Sequence, residues 1–167
     1  MLNLIGLTPQ SVVGNVYRAS RDGFGTSNFH SKSDNILGTL KIVKTTNGSV
    51  FGGFTTSNLN VGSSSVNDSN AFLFSLINQY NFSVRLNIKS TNTLSAITNS
   101  AYYGPCFSLD FCIADNSNQG KLSYSVLGTS YQLPFIYTLG YSAPPTFLAG
   151  STFFQTSEIE VYSINCK

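Results

Sequence analysis

The stretch Thr39-Leu-Lys-Ile-Val-Lys-Thr-Thr-Asn-Gly-Ser-Val-Phe-Gly-Gly-Phe54 sets two runs rich in β-branched and aromatic residues on either side of Asn47-Gly48. Asn-Gly between such runs is the strongest short-range hairpin signal, because a type I′ turn needs positive φ at both central residues. A two-residue turn pairs Thr46 with Ser49, which sets Val43 opposite Gly52 and Ile42 opposite Gly53. One face of the hairpin then carries Leu40, Ile42 and Phe51; the other carries Val43, Val50 and Phe54. A hairpin apolar on both faces belongs at the centre of a sheet covered on both sides.

The rest of the composition agrees with a β protein. Charged residues make up only 10% of 167, and Asn, Ser and Thr, residues of turns and strand edges, supply the polarity instead. The length suits one domain with a substantial core. A net charge of +2 with no Lys/Arg cluster leaves no electrostatic footprint for nucleic acid. No apolar run reaches the roughly 18 residues of a membrane span, so no membrane insertion is expected. Met1-Leu-Asn-Leu-Ile-Gly-Leu7 is too short for a secretory signal. Cys106, Cys112 and Cys166 fit no zinc spacing; reduced thiols in a cytoplasmic protein are the simpler expectation. Three sequons, at Asn47, Asn67 and Asn81, are the only hint of secretion.

Along the chain, residues 1–15 read as a segment packed on a domain that spans 16–167, with Thr8-Pro9-Gln10-Ser11 starting a helical turn. Thr26 reads as the N-cap of a short helix ending near Asn35, anchored by Phe24 and Phe29. Thr55–Ser69 is a polar loop in which Leu59 and Val61 are the large apolar residues, and Ala71–Ile77 is a strand buried on both faces. Three segments alternate: Phe82–Ile88 with even positions inward, Leu109–Ile113 with Asp110 and Cys112 on the opposite face, and Lys121–Val126. Glu158–Tyr162 puts Ile159 and Val161 in and both glutamates out. Seven or eight short strands with polar loops predict two packed antiparallel sheets, a β-sandwich with one or two short helices.

Few constellations bear on chemistry. Asp115–Gly120 starts like a calcium loop but has Val126 where the bidentate Glu belongs. His30 is the single histidine, and no nucleophile elbow or metal-binding helix accompanies it. Glu158 and Glu160 share a strand face about 7 Å apart, a spacing suited to two carboxylates or to plain solvation. The densest charge lies in Arg18, Arg21, Asp22, His30, Lys32 and Asp34. No cofactor and no metal are expected. A hydrolytic or redox activity would centre on His30 or on Glu158 and Glu160, and a β-sandwich glycan binder would need exposed aromatics among the nine tyrosines.

Several blocks, in order, resemble the TLDc family. They are Tyr17-Arg-Ala-Ser-Arg-Asp-Gly-Phe24, Phe29-His-Ser-Lys32, Asp34-Asn35, Thr45-Thr-Asn-Gly48 and Phe51-Gly-Gly-Phe54. Asn70-Ala-Phe-Leu-Phe-Ser-Leu76, Tyr103-Gly-Pro105, Asp110 and Ile113-Ala-Asp-Asn116 follow. Tyr131-Gln-Leu-Pro134, Phe147-Leu-Ala-Gly150 and Ser157-Glu-Ile-Glu-Val161 complete the set. The resemblance implies a two-sheet sandwich and a non-enzymatic protein-binding module; a monomer is expected. Its implied roles are regulation of the vacuolar proton pump, whose subunits would be the partners, and protection against oxidative stress. Relatives often carry Cys where this chain has Ser33, so thiol-based peroxide scavenging at that position is not implied. The residues expected to form a protein-binding or structural polar cluster are Arg18, Ser20, Arg21, Asp22, Gly23, Phe24, His30, Glu158 and Glu160. The charges before Phe24 are expected to meet the C-terminal glutamate strand, through Arg18 or Arg21.

Overall fold

A computed structural model describes residues 2–59, 65–89, 95–138 and 146–165. Cys166 and Val61 lie outside the described residues. Among the described residues ten strands form two antiparallel sheets. The larger sheet has the order β1 (Val12–Arg18), β10 (Thr156–Ile164), β2 (Thr39–Thr45), β3 (Val50–Thr55), β4 (Phe72–Ile77), β5 (Val84–Asn87). The smaller sheet runs β6 (Tyr103–Phe107), β7 (Phe111–Ala114), β8 (Ser123–Ser125), β9 (Phe153–Phe154). The described residues include three short α-helices: α1 (Ala19–Asp22) and α2 (Thr26–Ser33) between β1 and β2, and α3 (Phe135–Thr138) between β8 and β9. The two-sheet antiparallel sandwich expected from the strand pattern is the fold observed.

The β2–β3 hairpin is the central pair of the larger sheet, as its two apolar faces require. Its register differs from the expectation by one residue. Thr45 rather than Thr46 pairs with Ser49 (N–H to O, 3.0 Å), so Ile42 faces Gly52 and Val43 faces Phe51. The loop is Thr46–Gly48, and of Asn47 and Gly48 only Gly48 has positive φ (+93°). A three-residue loop needs one left-handed residue where the two-residue I′ turn needs two. Asn47 instead donates its side-chain amide to the Ala149 carbonyl at 2.9 Å. The slip moves Phe51 and Phe54 to the faces opposite those expected.

Phe51 joins Val43, Leu73, Leu86, Ile113 and Val161 in the core between the sheets. Leu40, Phe54, Phe72 and Phe74 form a second core on the other side of the larger sheet, roofed by Ile5 and Leu7 of the N-terminal segment. Phe72 and Phe74 are therefore buried, but under that segment rather than between the sheets. Thr8 caps the 3-10 turn Pro9–Ser11 with Pro at its first position, which brings the chain into β1 at Val12. Gly52 and Gly53 make room for the packing. A Cβ on Gly53 would lie 2.5 Å from the Phe107 ring, and one on Gly52 1.9 Å from the Lys41 carbonyl.

Four sequence readings are corrected. Phe82, expected inward, is 40% exposed, and β5 starts only at Val84. Leu109 is exposed, whereas Asp110 is fully buried. The carboxylate of Asp110 folds back to accept the N–H groups of Gly128 (2.7 Å), Thr129 (3.1 Å) and Ser130 (2.7 Å). The alternation of Lys121–Val126 is inverted: Ser123 and Ser125 face the core, while Leu122 and Val126 are exposed. Ser123 Oγ accepts the Ala114 N–H at 3.0 Å, so its inward hydroxyl is satisfied. Finally, Cys106 and Cys112, expected as free thiols, are joined in a disulfide. They face each other across the β6–β7 pair with their Cα atoms 4.1 Å apart.

Candidate functional site

The candidate cluster forms where β1 leaves the larger sheet and the chain doubles back through α1 and α2. β10 lies between β1 and β2, so its outward glutamates reach the residues at the end of β1. Arg18 donates to Glu160, whose other carboxylate oxygen accepts the Tyr162 hydroxyl at 2.9 Å. Glu158 accepts the Ser20 N–H (3.0 Å) and the Ser20 hydroxyl (2.5 Å), and so caps the first turn of α1. The N-terminal charges and the C-terminal strand thus meet, through Arg18 and not through Arg21.

Arg21 pairs instead with its neighbour Asp22, through Nε at 2.9 Å and Nη2 at 2.7 Å. Asp22 also accepts the Arg18 N–H at 2.9 Å. These contacts, the Arg21 guanidinium foremost, hold the Asp22 carboxyl down at about 2. Gly23 breaks the chain between the helices at φ +104°, and its carbonyl accepts the Tyr17 hydroxyl at 2.7 Å. A Cβ there would come within 2.8 Å of the Asn28 amide oxygen. Burial, reinforced by Asp22 and Glu158, pushes the Tyr17 phenol well above its usual range. Phe24 is half-buried against the main core.

α2 begins at Thr26, with Gly25 rather than Thr26 as its N-cap. The Thr26 N–H is taken by the Asp115 carboxylate at 2.7 Å, so the residue that opened the calcium-like pattern serves as a helix cap. His30 lies on this helix with partners of its own. Its Nδ1 contacts Asp34 Oδ1 at 3.0 Å, and its Nε2 contacts the carbonyls of Ser100 (3.1 Å) and Tyr103 (3.0 Å). Nε2 thus ties α2 to the start of β6, while Nδ1 stays with Asp34 at the C-cap of α2 itself. Ser33 is fully buried, and its Oγ has no hydrogen-bond partner.

The structure therefore assembles Arg18, Ser20, Glu158 and Glu160 in one network and Arg21 with Asp22 beside it, and leaves His30 in a separate one. The carboxylates are occupied by internal donors. The guanidinium side chains of Arg18 and Arg21 stay 47% and 53% exposed. Among the described residues no group of three or more His, Cys, Asp or Glu side chains could hold a metal ion, and no helix is long and apolar enough to cross a membrane.

Sequence reasoning missed Lys41, which is fully buried with its ammonium bonded to Thr39 Oγ1 and 5.5 Å from the Phe107 ring centre. Burial pulls its pKa down to about 7, against a partial offset from Asp68 and Asp34. Its position between Leu40 and Ile42 in an apolar strand at the sheet centre was the available signal.

No curated protein matches this sequence. The family model of the TLDc domain matches residues 9–165, and the sandwich with its Arg18-to-Phe24 segment clasped by the C-terminal strand falls within that span. The chain belongs to the TLDc domain family.

Proposed function

We propose that this chain is a protein-binding module that acts as a monomer in the cytoplasm, engaging the vacuolar proton pump or a related partner in protection against oxidative stress. One observation supports this reading above the others. The Arg18 and Arg21 guanidiniums are half exposed although each is ion-paired, with Glu160 and with Asp22, so the N–H groups not used in those pairs remain for a partner's acceptors. An activity centred on His30 or the two glutamates is less favoured, because those groups are engaged by Asp34 and backbone carbonyls, and by Ser20 and Arg18. The test is co-migration of the purified chain with the purified peripheral sector of the pump in size-exclusion chromatography. A stable co-migrating complex is expected; separate elution with each component at roughly tens of micromolar would remove the pump from the reading.

The Cys106–Cys112 bond favours a second reading, since disulfides persist mainly in oxidising compartments. Tyr124 and Phe153 lie side by side on the sheet face opposite Phe111 and Phe154. Phe153 is 60% exposed and Tyr102, just before β6, is 82% exposed. Such aromatics suit sugar rings, and a glycan binder acting outside the cytosol would use them. Glycan-array binding that disappears in Phe153→Ala would favour this reading; an array with no signal would dismiss it.

A further inference from the structure

Among the described residues β5 is the last strand of the larger sheet, and they cover its outer edge only in part. The sheet continues past it through two bonds, Gln132 N–H to the Asn87 carbonyl and Lys89 N–H to the Ser130 carbonyl, both 2.9 Å. Beyond Gln132 the chain turns through Leu133 and Pro134 into α3. Between that turn and Val84–Leu86 lies a cleft of about 570 Å³. An uncovered strand edge of this kind is a template for another strand.

The cleft carries charge that the rest of the molecule does not answer. Arg85 and Lys89 both line it. Arg85 bonds to the Ile5 carbonyl (2.9 Å) and the Asn87 side chain (3.1 Å) and stacks on Phe72 at 3.8 Å. Lys89 bonds to the carbonyls of Gly128 (2.5 Å) and Thr129 (3.2 Å). Every one of these acceptors is neutral. The chain has seven Asp and Glu side chains in all, each is described, and each is bonded elsewhere. Burial lowers the Arg85 pKa with no carboxylate offsetting it. Two accessible cations with no carboxylate bonded to either favour an anionic ligand.

Period-two alternation sorts the lining. Arg85 in β5 and Lys89 just beyond it fall on one face by this count, and Val84 and Leu86 on the other. We propose that the open edge of β5 takes an extended acidic peptide of a partner protein as an added strand, with apolar side chains toward Val84 and Leu86 and carboxylates toward Arg85 and Lys89. This surface is separate from the Arg18–Arg21 rim and does not depend on its role.

The probe is an acetylated octapeptide of alternating glutamate and valine, titrated into the isotopically labelled chain while backbone amide shifts are followed. Shifts are expected to cluster on residues 84–89 and 132–135, and affinity to fall at least roughly tenfold in the Arg85→Met, Lys89→Met double variant. Because Arg85 also packs on Phe72, Lys89→Gln alone serves as a second variant, with a several-fold loss expected at an unchanged melting temperature. Equal binding of the lysine–valine octapeptide would overturn the proposal, as would shifts centred elsewhere or affinity unchanged in both variants. The same shifts produced by inorganic phosphate at similar concentration would reduce the site to an anion pocket and overturn it too. Arg18→Glu with Arg21→Glu is expected to leave this binding intact.

Discussion

Replacing Lys41 with methionine is expected to stabilise the protein, and to do so most at neutral pH and below. Lys41 sits between the sheets with the Thr39 hydroxyl as its hydrogen-bond acceptor and the Phe107 ring near its ammonium. Asp68 and Asp34 attract it from a distance without forming an ion pair. Its pKa falls from 10.5 to about 7, so the folded state binds this proton less readily than the unfolded chain. The penalty is fully present below about 7 and fades as pH rises through the folded value toward the unfolded one. At about 1.4 kcal/mol per pH unit its ceiling is roughly 5 kcal/mol. Methionine keeps most of the side-chain volume and removes the charge, at the expense of the Thr39 bond and the contact with Phe107, so a net gain on the order of 3 kcal/mol is expected at pH 6. Urea unfolding of both proteins at pH 6, 7.5 and 9 reads the effect. The gap between them should narrow as pH rises. A gap that stays constant, or a variant less stable at pH 6, would refute the reasoning and mean that the ammonium is better solvated than its burial implies.

Three further outcomes are expected. Gly53→Ala should destabilise by roughly 1–3 kcal/mol in denaturant unfolding, because the new Cβ meets Phe107 at 2.5 Å, whereas Gly14→Ala, with nothing within 4 Å, should cost far less. Ser33→Ala should leave stability unchanged or raise it by up to about 1 kcal/mol, since the buried Oγ has no partner to lose; a large loss by thermal melting would reveal a bond to this hydroxyl. Exchanging the charges of the Arg18–Glu160 pair (Arg18→Glu with Glu160→Arg) should leave the melting temperature where it is, because the arginine side chain is 47% exposed and such surface pairs contribute little.

The sheet centre was legible because the β2–β3 hairpin is apolar on both faces, and only a central pair in a doubly covered sheet buries both. Its register was not, since Asn-Gly fits a two-residue and a three-residue loop alike, and the choice rests on tertiary contacts such as Asn47 with Ala149. The inversion of β8 was hidden for a similar reason: Ser123 is inward because it answers the Ala114 N–H, a partner that periodicity does not display. The disulfide could have been read. A three-residue loop at Ser108–Asp110 pairs Phe107 with Phe111 and therefore Cys106 with Cys112. The meeting of Arg18 with Glu160 was legible because charge is scarce in this chain and the segment before Phe24 and the Glu158–Glu160 strand hold much of it. Of the two arginines expected at that strand only Arg18 reaches it, because Arg21 finds its sequence neighbour Asp22 at 2.7 Å, nearer than a partner on another strand. The β5 cleft had no sequence signature, because Arg85 and Lys89 are ordinary outward residues until every acid in the chain is accounted for.

The most direct measurement is calorimetric titration of Arg21→Glu, beside the wild-type chain, into the purified peripheral sector of the vacuolar proton pump, with melting temperatures recorded for both. A contact surface at this rim calls for binding that is lost or weakened at least roughly tenfold while the melting temperature stays put. Wild-type affinity in a variant that is equally well folded would contradict it and show that the partner is met elsewhere on the sandwich.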